Sequence, residues 1–256
     1  MIPKIIHFCW LSNEPIPSHL QKCISSWNKF LPDYQMVKWD RNRFDINSVP
    51  LVKEAFEARK WAFAADYIRA YALYNYGGIY LDSDVMLYKN LTDLLKGDFI
   101  TGMEYQNKVN PAGVVDKDGN RLASEIRVPG IGLQAAFMAS VPKHPLVKDV
   151  LDFYDGKTLC FLLEKKYYAP VVWGYCAEKY GFKFINSKQE LSSNILIYPT
   201  AEISNYNQFS SKSFLVHFCS GSWLEGNSIK RQILSFIKAN RLLFIIYNWF
   251  KRLWLP

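Results

Sequence analysis

The 256 residues, 50% hydrophobic and 16% aromatic, are enough for one well-buried domain with or without an appendage. A 21% charged fraction with no low-complexity tract excludes a disordered chain, and no apolar run approaches the ~18–20 residues that span a bilayer. The net charge of +8 favours acidic partners, yet no RNA-binding signature or zinc-finger spacing occurs, so nucleic acid is not expected.

In chain order, Lys4 to Trp10 (KIIHFCW) reads as a short buried strand. A Pro-containing loop, Asn13 to Pro17, leads into a helix over Ser18 to Phe30, with Leu20, Ile24 and Trp27 on one face, and Tyr34 to Trp39 is a second strand. This β-α-β opening suggests a parallel sheet, with a nucleotide at its strand C-termini by analogy. Pro50 precedes one long helix, Leu51 to Tyr76, which contains no Pro or Gly and ends at Gly77-Gly78, where a C-cap needs positive φ. Ile79 to Leu81 then enters a strand, Asp82-Ser83-Asp84 follows, and Val85 to Tyr88 resumes the apolar pattern. Further strands are expected at Phe99 to Glu104 and Gly132 to Ser140, with a hairpin or flap over Asn107 to Arg127. A helix at Lys143 to Tyr154, two aromatic-rich segments and a late strand at Leu215 to Phe218 complete the pattern. A change of composition places a boundary near residue 226, giving a domain over 1–226 and a tail over 227–256.

Asp82 and Asp84 are the first chemical signal. On a strand, residues two apart face the same side, some ~6–7 Å apart by strand rise, which suits carboxylates flanking a cation. Mg²⁺ and Mn²⁺ share carboxylate oxygens readily with phosphates, and such a metal neutralises a departing diphosphate. The triplet alone is a weak signal, because Asp116-Lys117-Asp118 repeats it; there Gly119-Asn120 reads as a turn. Asp66 and Arg69, three apart on the long helix among Ala62, Ala70 and Leu73, form either an internal salt bridge or a pair that binds sugar hydroxyls and phosphate. A lone histidine such as His217 is ordinarily a packed or surface residue. A third metal ligand would nonetheless have to come from elsewhere in the chain, and His217 to Trp223 offers a His, two hydroxyls, a Gly hinge and a Trp that could close as a lid.

The stretch Ala64 to Val85, AADYIRAYALYNYGGIYLDSDV, resembles the D-x-D region of retaining glycosyltransferase family 32, bacterial glycan-synthesis type, and is similar to the glucosylating domain of the large clostridial toxins. IPKIIHFCW resembles the opening strand of those families, and His217 with Ser222-Trp223 resembles their C-terminal motif. The resemblance implies a GT-A fold, Rossmann-like with a mixed sheet flanked by helices. It also implies a nucleotide-sugar donor, UDP-sugar favoured over GDP-sugar, a divalent metal, usually Mn²⁺ and otherwise Mg²⁺, and hexose transfer with retention of configuration to a glycan or lipid-linked acceptor. By motif match Trp10 would stack on the base and the Phe8 backbone would contact it. Asp66 and Arg69 would hold the sugar and diphosphate. Asp82 would reach ribose and metal, Asp84 and His217 would ligate the metal, and Ser222 and Trp223 would close on the leaving group. Gln134 resembles the Asn/Gln near the reacting carbon.

Two other classes compete. A metal-dependent nucleotide phosphotransferase or hydrolase would want a phosphate loop, G-x-x-x-x-G-K-[ST], which is absent. A non-catalytic, membrane-associated glycan-binding protein would not turn over donor. From Ile229 on, Lys230, Arg231, Lys238, Arg241, Lys251 and Arg252 are interleaved with bulky aromatics and no Asp or Glu. This describes either a helix lying on an anionic membrane surface or one docked on the domain or a second copy. Five widely spaced cysteines without C-x-x-C read as reduced thiols, and no leader pattern is visible at the N-terminus; the expected location is cytoplasmic and peripheral on the membrane.

Overall fold

The computed structural model describes residues 1–106 and 113–219. The proposed tail, the boundary at 226, and the candidates Ser222 and Trp223 lie outside the described residues.

Strand β1 (Ile5–Cys9) pairs in parallel with β2 (Gln35–Trp39) through the crossover helix α1 (Ser18–Phe30), which buries Leu20, Cys23 and Trp27. The expected single helix is two helices, α2 (Pro50–Glu57) and α3 (Trp61–Tyr76). Glu57, Ala58, Arg59 and Lys60 are all exposed, so no apolar side chain holds that turn against the core. Arg59 takes φ 54°, and the Lys60 N–H donates to the Ala55 carbonyl, ending α2 with a left-handed turn. Gly77, at φ 63°, ends α3 by donating its N–H to the Leu73 carbonyl, and a Cβ on Gly78 would stand 2.6 Å from the Ile5 carbonyl oxygen. Both positions require glycine, which lets β3 (Gly78–Leu81) lie directly against β1.

The chain then leaves this sheet: β4 (Val85–Leu87) belongs to a second one. Strand β5 (Phe99–Tyr105) and the wholly buried β6 (Ile131–Ser140) return to the first, with β6 antiparallel to both β3 and β5. Helices α4 (Pro145–Tyr154), α5 (Leu159–Lys165) and α6 (Ala169–Glu178) follow, then β7 (Gln189–Leu191), β8 (Ile195–Tyr198), β9 (Ile203–Asn205) and β10 (Leu215–His217). The large sheet has the order β2-β1-β3-β6-β5-β8-β7, and the small one β4-β10-β9. One apolar core joins α2, α3, α4 and α6 to one face of the large sheet; the other lies between its opposite face, α1 and the small sheet. This is the α/β mixed sheet flanked by helices expected from the sequence. Among the described residues, no helix is long and apolar enough to cross a membrane.

Candidate active site

The parallel strands β1, β2 and β3 end along one edge of the large sheet, where Trp10, Asp40 and Asp82 begin their loops. An open cleft lies there, with Trp10, Trp61, Arg69, Asp82, Asp84 and His217 on its walls.

Asp82 and Asp84 do not sit on a continuous strand, as the sequence reading had them. The Val85 N–H donates to the Asp82 carbonyl at 2.9 Å, which turns the chain between the two sheets. One end of this turn stays on the large sheet, the Asp82 N–H donating to the Ala136 carbonyl at 2.9 Å; the other joins the small sheet, the Phe218 N–H donating to the Asp84 carbonyl at 3.1 Å. The turn still aims both carboxylates into the cleft. His217 arrives from β10, its Nε2 3.3 Å from Asp84 Oδ1. One carboxylate oxygen from each aspartate and one imidazole nitrogen lie within 4.8 Å of one another. Ligands on one small divalent cation stand up to about 4 Å apart, so two oxygens and a nitrogen at this spacing fit such an ion after slight closure.

Arg69 backs this group. Its Nη2 is 2.9 Å from Asp66 Oδ1 and 3.5 Å from Asp82 Oδ1, its Nη1 donates to the Ala135 carbonyl, and its guanidinium lies 4.7 Å above the Tyr80 ring. The internal salt bridge is therefore present, and Arg69 also reaches the cleft wall, whereas Asp66 does not line it. Burial outweighs the attraction of Arg69 and pushes the Asp66 carboxyl up to about 6. For Arg69, Asp82, Tyr80 and Asp66 outweigh burial and hold it charged. At His217 burial opposes the charged form, but Cys219 and Asp84 overcome it and hold the ring well above its ordinary value.

Trp10 lies on the cleft wall, its Nε1–H donating to the Glu14 carbonyl at 2.8 Å and so fixing the loop that follows β1. Two other expected residues are not on that wall. The ring of Phe8, whose backbone alone was expected to contact the base, is buried edge-on against Trp27, 5.5 Å between centroids. Gln134 is buried with both amide atoms bonded: Oε1 accepts from the Ala136 N–H at 3.0 Å and Nε2 donates to Asn205 Oδ1 at 2.7 Å. A side chain so engaged inside the sheet does not face a reacting carbon. Trp61, Cys9 and Cys219 line the cleft without having been expected there. Trp61 owes its place to the break between α2 and α3. Its one sequence signal is an aromatic just after the exposed run Glu57 to Lys60. The control triplet behaves as a turn: Asp116 accepts from the N–H groups of Asp118 and Asn120 and from Asn120 Nδ2, at 2.8–2.9 Å.

Among curated proteins, an uncharacterized glycosyltransferase of Acanthamoeba polyphaga mimivirus is 38% identical over 114 residues, 42% of this chain and 45% of that protein. Inositol phosphoceramide mannosyltransferase 3 of Schizosaccharomyces pombe is 37% identical over 98 residues, 37% of this chain and 27% of that protein. The chain thus matches less than half the length of either relative. A solved glycosyltransferase involved in glycosylation of the major capsid of PBCV-1 superposes with a TM-score of 0.49 at 13% identity, over 91% of this chain and 97% of that one. Residues 17–100, which carry Asp66, Arg69, Asp82 and Asp84, are similar to the family described as the glycosyltransferase sugar-binding region containing DXD motif.

Proposed function

We propose that this chain is a metal-dependent hexosyltransferase that takes a sugar from a nucleotide-sugar donor to a glycan or lipid-linked acceptor with retention of configuration. The observation that carries the reading is the group of Asp82, Asp84 and His217, with ligand atoms within 4.8 Å of one another, in a cleft that also holds Trp10 and Trp61. The match over residues 17–100 and the glycosyltransferase names of both relatives support it, and the word mannosyltransferase in one of them supports a hexose.

A divalent cation held by Asp82, Asp84 and His217 would supply positive charge to the departing diphosphate. The imidazole favours Mn²⁺ over Mg²⁺, which prefers oxygen alone. Trp10 and Trp61 offer rings to the nucleotide base, for which UDP is favoured. Arg69 holds Asp82 in place and presents fixed positive charge behind it. Asp66 serves as the partner of Arg69. Retention rests on the resemblance to family 32, and the transfer is a front-face displacement. The C1–O bond to the diphosphate breaks, the acceptor oxygen bonds C1 on the same face, and its proton passes to a diphosphate oxygen. The basic, aromatic sequence after Ile229 supports a seat on the anionic cytoplasmic face of a membrane.

The test is a panel of UDP- and GDP-sugars with the full chain and Mn²⁺, reading donor hydrolysis. One donor should be consumed in a metal-dependent manner, and chelator should stop it. No turnover and no calorimetric binding of any donor would sink the reading.

A further inference from the structure

The three candidate metal ligands come from two sheets. Asp82 keeps its backbone on the large sheet, while His217 lies on the central strand of the small one. Their separation therefore depends on what fixes one sheet to the other. Strand β9 is the neighbour of β10, with Asn205 beside His217 in parallel register, and the Tyr206 N–H donating to the His217 carbonyl at 2.9 Å. The buried Asn205 amide faces the large sheet. Its Oδ1 accepts from Gln134 Nε2 at 2.7 Å, and its Nδ2 donates to Glu104 Oε1 at 3.0 Å. Gln134 Oε1 in turn accepts from the Ala136 N–H at 3.0 Å, and the Ala136 carbonyl accepts from the Asp82 N–H at 2.9 Å. A path of hydrogen bonds thus runs from the strand of His217 through Asn205, Gln134 and Ala136 to Asp82. Its polarity is fixed at both ends: a backbone N–H can only donate to Gln134, and the Glu104 carboxylate can only accept from Asn205.

We propose that Asn205 is a positioning residue which, through Gln134, sets the spacing of His217 against Asp82 and Asp84. It touches neither donor nor metal. Cutting the path lets the small sheet settle at a different distance, and three ligands that must meet one cation lose their common centre. The inference rests on the metal-dependent reading above and gives Gln134 a positioning role.

The test uses the full chain and reads Mn²⁺ binding by electron paramagnetic resonance, alongside UDP affinity in the presence of chelator and thermal unfolding. Asn205→Leu should weaken Mn²⁺ binding roughly 10- to 100-fold, the range seen when groups behind metal ligands are removed. Metal-free UDP affinity should stay within about twofold, because the cleft wall at Trp10 is untouched. Gln134→Met cuts the same path from the other sheet and should behave alike; it serves if Asn205→Leu does not fold. Together the two substitutions should cost about as much as the worse one alone, since each opens the same connection. Glu104→Gln keeps an acceptor for Asn205 and should leave Mn²⁺ binding within about twofold. Folded single variants that bind Mn²⁺ like the unaltered chain would overturn the positioning role alone, and so would losses that multiply in the pair. An unaltered chain that binds no Mn²⁺ would overturn the metal reading with it.

Discussion

Asp82-Ser83-Asp84 and Asp116-Lys117-Asp118 are one pattern in two settings. Asp116 spends its carboxylate on its own loop, accepting from Asp118 and Asn120, and the Val115–Arg121 bridge closes the same hairpin. The first triplet has its two ends on different sheets and meets a histidine brought from β10. What separates them is not the aspartates but what holds the backbone on either side. A triplet tied into one turn folds its oxygens inward, whereas a triplet strung between two sheets presents them to whatever else the sheets carry.

The sharpest way to break this comparison is to remove one carboxylate from each. Asp84→Ala should lower metal-dependent donor hydrolysis by about 10³-fold, and Asp116→Ala should leave it within about twofold. Equal effects would mean that the setting does not matter. The next effect is on stability. Arg69→Ala leaves Asp66 buried without its ion-pair partner and should cost on the order of 3–5 kcal/mol in urea unfolding, with activity falling beyond that loss. Among the described residues the second triplet has no such buried arginine in its contacts, so Lys183→Ala, which removes the lysine bonded to Asn120, should change melting only slightly.

A pH series sharpens the contrast further. Asp84 and Cys219 hold a proton on His217 above the ordinary histidine range, and that proton occupies a nitrogen the cation needs. Metal affinity should therefore fall as pH is lowered through neutrality, by up to about tenfold per unit, and His217→Ala should flatten the dependence. A pH-independent Mn²⁺ affinity in the unaltered chain would remove His217 from the ligand set. The smallest effect concerns the aromatic wall beside the first triplet: Trp10→Ala should weaken UDP binding by about 1–3 kcal/mol in calorimetry. Unchanged affinity would return Trp10 to a packing role.

Features set by neighbours in the chain were legible in advance. Helix α1 follows from the spacing of Leu20, Ile24 and Trp27, and the stop at Gly77-Gly78 from its need for positive φ. The contrast between the two triplets is readable because Gly119-Asn120 follows one, whereas a helix, a Gly-Gly stop and a strand precede the other. Features set by distant contacts were not. Nothing local at Asp82 says that the next strand pairs with residues 215–217, so the triplet read as strand and not as turn. The break at Arg59 depends on the absence of a core contact, which periodicity scores weakly. Gln134 is singled out by resemblance alone, and nothing in its neighbourhood in the chain shows that Asn205, on a different sheet, takes its amide.

Because Asp82 and His217 are so far apart in the chain, and Ala136 stands between them on the central strand β6, no isolated fragment of the fold can assemble the three candidate ligands. A fragment holding residues 17–100 alone carries the D-x-D sequence without His217, β6 or β10. A cation bound across the group recognises only the completed domain, which makes it a folding ligand. At a free concentration a hundredfold above its dissociation constant it adds about 2.7 kcal/mol to the unfolding free energy. The rise of the melting temperature with metal concentration is then an assay of the site that needs neither donor nor acceptor.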